Sequence, residues 1–174
     1  MAESVLGALL AIVLFLAVYL DIRTSRVPNW VTFAAMCSGL FVHSLLEGAQ
    51  GAMFSLSGLG LGLIVFLTLY FLGDMGAGDV KLMGAIGAVV GPYGAIISGI
   101  LALIVGGIYA VGAMCYEWGV GTTARKLLSA AYRAIFVSNT HWAEDLRLPF
   151  HLRYALMIAS GTLLFRLGLH PFGG

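Results

Sequence analysis

Five stretches of the chain, residues 4–20, 30–46, 52–72, 93–116 and 153–169, are apolar with few or no charges inside them. The shortest is about 17 residues and the longest about 24, against the roughly 20 that a helix needs to cross a hydrocarbon core about 30 Å thick. Runs of that length in a chain of 174 residues leave little room for a soluble core. Composition agrees: 60% of residues are hydrophobic and 10% charged, whereas soluble domains carry about 25% charged residues. The expectation is an all-α polytopic membrane protein forming a single integral membrane domain over residues 1–174. The net charge of +1 gives no support for nucleic-acid binding. Cys37 and Cys115 stand singly within apolar sequence, so neither a disulfide nor a zinc site is expected, and no cofactor or metal is called for.

The first run has Glu3 but no Lys or Arg in its head and no small-residue cleavage site after it, so it reads as a retained helix rather than a signal peptide. Residues 21–29, Asp-Ile-Arg-Thr-Ser-Arg-Val-Pro-Asn, form a polar turn, and Pro28 restarts the helix near Asn29 or Trp30. The second span, 30–46, has Trp30 as an interfacial anchor. His43, near its far end, reads first as a wet interfacial histidine. Residues 47–51 make the next turn. After the third span a short apolar run, 80–90, ends at Gly91-Pro92-Tyr93-Gly94, which predicts a fourth helix only about half a bilayer long. The fifth span follows. Within the more polar interval 117–150, Leu127, Leu128, Ala131 and Ile135 recur at helical spacing, with Arg125, Lys126 and Arg133 mostly on other faces. That pattern predicts a basic amphipathic helix on the membrane surface. The sixth span enters through Pro149-Phe150.

About six spans put residues 21–29, 73–81 and 117–150 on one side and both termini on the other. Of the nine Lys and Arg residues, all but Arg166 then share one side, and the positive-inside rule makes that side the cytoplasm. Glycines at small-xxx-small spacing, Gly58/Gly62 and Gly87/Gly91, predict close helix packing, as do Gly60, Gly84, Gly106, Gly107 and Gly112 more loosely.

Residues 73–83, Gly-Asp-Met-Gly-Ala-Gly-Asp-Val-Lys-Leu-Met, are the chemical centre of the sequence. A carboxylate in lipid costs roughly 2.5–3.5 kcal/mol at a helix centre, so it needs a partner, water or a task. On this topology Asp79 shares the cytoplasmic face with Asp21. Two neighbouring carboxylates share a proton; one can activate water while the other protonates a carbonyl oxygen. Helix dipoles favour the charge on Asp79, at a helix start, and the proton on Asp21, at a helix end. The plainer reading, with comparable weight, pairs Asp21 with Arg23 or Arg26 and makes Asp79 a helix cap. Asp74 reads as a supporting or surface residue. Lys81 either offsets carboxylate charge or snorkels to the interface.

At these residues the chain resembles the type IV prepilin peptidases. Gly76-Ala77-Gly78-Asp79-Val80-Lys81 is similar to the family's Gly-x-Gly-Asp-x-Lys motif. Asp21 ahead of Val27-Pro28-Asn29 resembles its first catalytic aspartate and (Ile/Val)-Pro-Asn pattern. The resemblance implies a Gly-x-Gly-Asp membrane aspartic endopeptidase with Asp21 and Asp79 catalytic and Gly76, Gly78, Lys81, Pro28 and Asn29 in support. Its substrate would be a prepilin-like precursor, cut after the glycine that ends its basic leader, at the cytoplasmic surface of a prokaryotic inner membrane. Gly76 and Gly78 would give the extended substrate backbone room. The cysteine-bearing insertion of longer members is replaced here by a short turn, which implies the short form used for Flp (tight-adherence) pili or preflagellins and puts N-methyltransferase activity in doubt. Two other classes fit parts of the sequence: a small proton- or ion-coupled transporter, which would set its carboxylates nearer the midplane, and a non-catalytic subunit of a pilus or secretion assembly, which would tolerate loss of either aspartate.

Overall fold

The computed structural model describes residues 2–24, 27–72, 76–136 and 154–168. They form five helices: α1 (Ala2–Thr24), α2 (Asn29–Leu72), α3 (Ala77–Trp118), α4 (Val120–Phe136) and α5 (Tyr154–Arg166). Among the described residues there is no strand. Three helical stretches, Val5–Thr24, Asn29–Phe71 and Ala77–Trp118, are long and apolar enough to cross a membrane, and Tyr154–Arg166 is a shorter apolar helix. The chain divides into two compact units, one of residues 1–105 with 153–174 and one of residues 106–152.

The two long helices are not straight rods. Gly48 in α2 has φ 61° and ψ −134°, and Gly91 in α3 has φ 78° and ψ −179°. Positive φ is open to glycine at no steric cost and strained for other residues. At Gly48 the chain doubles back, because a β-carbon on Gly51 would strike the carbonyl of His43 and the rings of His43 and Phe54 lie 5.2 Å apart. Eleven residues of continuous helix would separate those two positions by roughly 16 Å along the axis. The expected turn at 47–51 thus narrows to one non-helical residue. At Gly91 the reversal is similar: a β-carbon on Gly87 would stand 3.3 Å from that of Ala95, and one on Gly91 would run into the Phe54 ring.

The segment of α3 before this break is the centre of the first unit. Every residue from Leu82 to Val89 is buried, and a helix buried all round lies inside a bundle. Both halves of α2 pack on it. Gly39 meets the backbone of Ala88, Gly58 meets Gly87 and Gly91, and Gly62 meets Met83 and Gly84. Gly58 thus faces the Gly87/Gly91 pair, while Gly62 faces Gly84 one turn earlier. Among the described residues, no atom lies within 4 Å of a β-carbon added at Gly60, Gly107 or Gly112. α5 buries Ala155, Met157, Ile158, Gly161 and Thr162; Gly161 abuts the backbone of Ala102, and Phe165 lies edge-on to Tyr93 at 6.3 Å.

Breaking a helix in an apolar interior strands carbonyls. Ala88 would normally be served by the N–H four residues on, but that residue is Pro92, which has none. The hydroxyl of Ser55 donates to the Ala88 carbonyl instead, at 2.8 Å. The Val89 carbonyl lies 3.0 Å from His43 Nε2; since a carbonyl only accepts, Nε2 carries the hydrogen. His43 is 6% exposed. The expectation of a wet interfacial histidine is thus corrected: the fold at Gly48 turns this ring inward to serve the broken end of α3.

In the second unit, Gly119 at φ 79° separates α3 from α4. α4 lies within the interval expected to hold the surface helix. Thr123 and Ala130 are buried, while Leu128 is 73% and Tyr132 62% exposed. The ammonium of Lys126 stands 3.5 Å from the centre of the Trp118 ring, so this cation is engaged within its own unit rather than projecting freely. The side chains of Ala131, Arg133 and Ile135 lie outside the described residues.

Ser55→Ala should strand the Ala88 carbonyl and lower stability by about 1–3 kcal/mol, the cost of a buried unsatisfied acceptor. Ser57→Ala removes an exposed hydroxyl that bonds only its own helix at Phe54 and should change little. Thermal unfolding of the purified protein in detergent checks the pair.

Candidate active site

Asp21 lies in the last turn of α1, which continues through the first part of the expected polar turn to Thr24. In that last turn Thr24 Oγ1 donates to the Leu20 carbonyl at 2.8 Å. Asp79 lies in the first turn of α3. The two side chains are 8% and 9% exposed. They belong to different helices, far apart in sequence, yet stand close enough for their charges to act on one another. Both are in the first unit.

The start of α3 explains how Asp79 is held. Gly76 is the N-cap and Asp79 the third residue beyond it. The Asp79 N–H donates to the Gly76 carbonyl at 3.0 Å, and the Gly76 N–H donates back to the Asp79 carboxylate. This is the reciprocal half of a capping box, in which an acidic residue at the third position reaches back to the N-cap amide. The capping reading of Asp79 is therefore correct, and it leaves the residue available for chemistry, because a cap uses only part of a carboxylate's acceptor capacity.

The glycines of the motif have more local duties than making room for a substrate. A β-carbon on Gly76 would stand 3.0 Å from Asp79 Oδ2, the oxygen folded over it. One on Gly78 would stand 3.3 Å from the Val27 carbonyl. Gly78 thus lets the segment joining α1 to α2 lie against the first turn of α3. Val27 is buried there. Pro28 accepts from the Val31 N–H at 3.2 Å, and Asn29 Oδ1 accepts from Lys81 Nζ at 2.9 Å.

Of the residues expected at the site, Asp21, Asp79, Gly76, Gly78, Pro28, Asn29 and Lys81 are thus drawn together around the start of α3. Lys81 is exposed and bonded to Asn29. Arg23, one of the two expected partners of Asp21, lies over the Tyr19 ring at 5.4 Å. Asp74, Arg26, Arg147, Arg153 and the Pro149-Phe150 pair lie outside the described residues. Sequence reasoning missed Ser55, whose signal was available: a proline four residues after an apolar position implies an orphan carbonyl and a nearby donor. No cluster of three or more His, Cys, Asp or Glu that could hold a metal occurs among the described residues.

Long apolar helices packed through glycine, with two buried carboxylates where helices end, define a helical membrane protein with a charged interior site. Residues 8–111 match the type IV leader peptidase family, and the chain, matched over more than half its length, belongs to that family of proteases. The match includes both aspartates and the Gly-x-Gly-Asp stretch. No curated protein and no solved structure matches the chain.

Gly76→Ala places a methyl group against the Asp79 carboxylate rather than against backbone, so the fold should survive while the carboxylate shifts. Peptidase activity should fall by about tenfold or more, since small misplacements of reacting groups are that costly, with a melting temperature close to wild type. Cleavage of a leader-bearing precursor beside a melting curve measures both.

Proposed function

We propose that this protein is an aspartic endopeptidase that removes the basic leader from type IV prepilin-like precursors, of the Flp type, with Asp21 and Asp79 as its catalytic pair. The observation that carries the reading is the juxtaposition of two buried carboxylates from separate helices. Asp79 takes a proton from water as the water oxygen attacks the scissile carbonyl carbon, and Asp21 gives its proton to the carbonyl oxygen. Collapse of the tetrahedral intermediate breaks the C–N bond, the leaving nitrogen takes the proton that Asp79 received from water, and Asp21 recovers its own from the hydroxyl as the carboxylic acid forms. The Gly76 amide holds one oxygen of Asp79, and Pro28, Asn29, Gly78 and Lys81 keep the neighbouring segments in place. No N-methyltransferase activity is proposed.

The topology that goes with this reading has six crossings, both termini periplasmic and the dyad at the cytoplasmic face. A continuous helix of 44 residues, the length of α2, would run about 66 Å, twice the hydrocarbon thickness. Breaks at Gly48 and Gly91 that divide α2 and α3 support two crossings from each. With α1 and α5 the count is six. The distribution of Lys and Arg supports the orientation. α4 would lie along the cytoplasmic surface of the bilayer, its exposed Leu128 and Tyr132 directed to lipid beside Arg125. Reporter fusions after Glu47, Pro92 and the C-terminus should read periplasm, and fusions near Arg26 and Arg133 cytoplasm. A cytoplasmic C-terminus, or a periplasmic reporter near Arg133, would remove the shared face of the two aspartates and the surface helix with it.

Asp21→Asn and Asp79→Asn should each abolish precursor processing, and the double variant should be no worse than either, because residues acting as one unit lose their function together. Asp74→Asn should keep activity. All the variants should still insert, since a neutral amide is cheaper than a carboxylate in lipid. Immunoblots of precursor and mature pilin, with membrane fractions as the control, give the result. Normal processing by Asp79→Asn would end the protease reading for this pair.

A further inference from the structure

We propose that Asn29 and Lys81 are positioning residues, a clamp that fixes the segment leaving Asp21 onto the helix turn bearing Asp79 and so sets the spacing of the two carboxylates. The inference rests on the reading of that pair as the catalytic dyad.

Asp21 and Asp79 ride on the ends of two helices that the whole length of α2 separates in sequence. The segment that leaves α1 after Thr24 is secured to the start of α3 at two points. The Val27 backbone lies against Gly78, where a side chain would crowd it at 3.3 Å, and Asn29 Oδ1 accepts from Lys81 Nζ at 2.9 Å. Gly78 and Lys81 stand on either side of Asp79. Asn29 is itself held, because its carbonyl accepts from Thr32 Oγ1 at 3.0 Å and the Val31 N–H bonds the Pro28 carbonyl just before it. The acceptor that Lys81 meets is therefore built onto the first turn of α2 and not carried on a loose loop. A hydrogen bond from a charged donor is stronger than a neutral one. Of the two contacts, the Val27–Gly78 approach excludes atoms but resists only compression. The Asn29–Lys81 bond resists separation. Together they restrain the segment in both directions.

This assigns to Lys81 a role by geometry and not by charge, and the two are separable. Asn29→Ala breaks the link and leaves every charge in place. With the full-length protein in lipid nanodiscs and a leader-bearing precursor, Asn29→Ala and Lys81→Met should each lower kcat by about tenfold with KM unchanged, given how steeply rate falls with misplacement. The double variant should equal either single. Asn29→Asp, which offers Lys81 a carboxylate, should recover the rate. In a Cys37→Ser/Cys115→Ser background, spin labels at the exposed positions Ile22 and Ala77 should give one narrow distance distribution that broadens in both link-breaking variants.

An unchanged, narrow distribution in Asn29→Ala would overturn the clamp, and so would a raised KM at constant kcat, which marks a substrate contact. A shifted pH–rate profile in Lys81→Met with full activity in Asn29→Ala would assign Lys81 a role through its charge and would also overturn it. If the wild-type protein cleaves no precursor, the dyad reading fails by itself, and the label distances still decide whether the link exists.

Discussion

Helices in lipid gain nothing by hiding apolar side chains from one another, since the surrounding chains are equally apolar. What remains is close contact and hydrogen bonding, and this structure uses both at one place. The faces carrying Gly58 and Gly62 on α2 and Gly84, Gly87 and Gly91 on α3 bring two backbones together with little between them. At that distance a serine hydroxyl and a histidine ring can reach carbonyls on the neighbouring helix. The break in α3 is tolerated because its freed acceptors have partners, as buried backbone carbonyls require. The position of the whole first unit around Leu82–Val89 depends on this contact.

The site inherits that arrangement. Asp79 opens the helix that is buried on every side, so its place is set by both halves of α2 and not by its own loop alone. Its carboxylate is committed to the Gly76 amide and lies close enough to Asp21 for the two carboxyl groups to influence one another. One residue thus serves as a helix cap and as a candidate reactive group. The two roles support each other: the cap holds the side chain in one orientation, which is what a reacting group requires.

The apolar runs, the breaks near residues 48 and 91, the paired glycines of α2 and α3 and the two aspartates were legible in the sequence because each is a local signal. Apolar length, positive-φ glycine and four-residue spacing are all written within a few positions. The partners of those features were harder to read. His43 looks solvated when only its place near a span end is considered, and the fold-back at Gly48 is what buries it. Gly78 lies against the Val27 backbone, a neighbour that the sequence around the glycine does not announce. The family resemblance supplied the pairing of Asp21 with Asp79, which spacing alone could not distinguish from a surface ion pair and a cap.

The part of α3 that carries Asp79 runs only to the break at Gly91, about 14 residues or some 21 Å of helix, against about 30 Å of hydrocarbon. A peptidase consumes two reactants, and one of them is water, which a bilayer excludes. A full-length helix would leave the dyad either at the outer edge of the headgroups, away from an apolar substrate helix, or deep in lipid, away from solvent. A truncated one falls several ångströms short of the hydrocarbon thickness, which draws the surface toward the dyad. On the proposed topology the short helix sets Asp79 a little below the cytoplasmic surface, between the solvent that supplies water and the lipid that holds an apolar substrate helix.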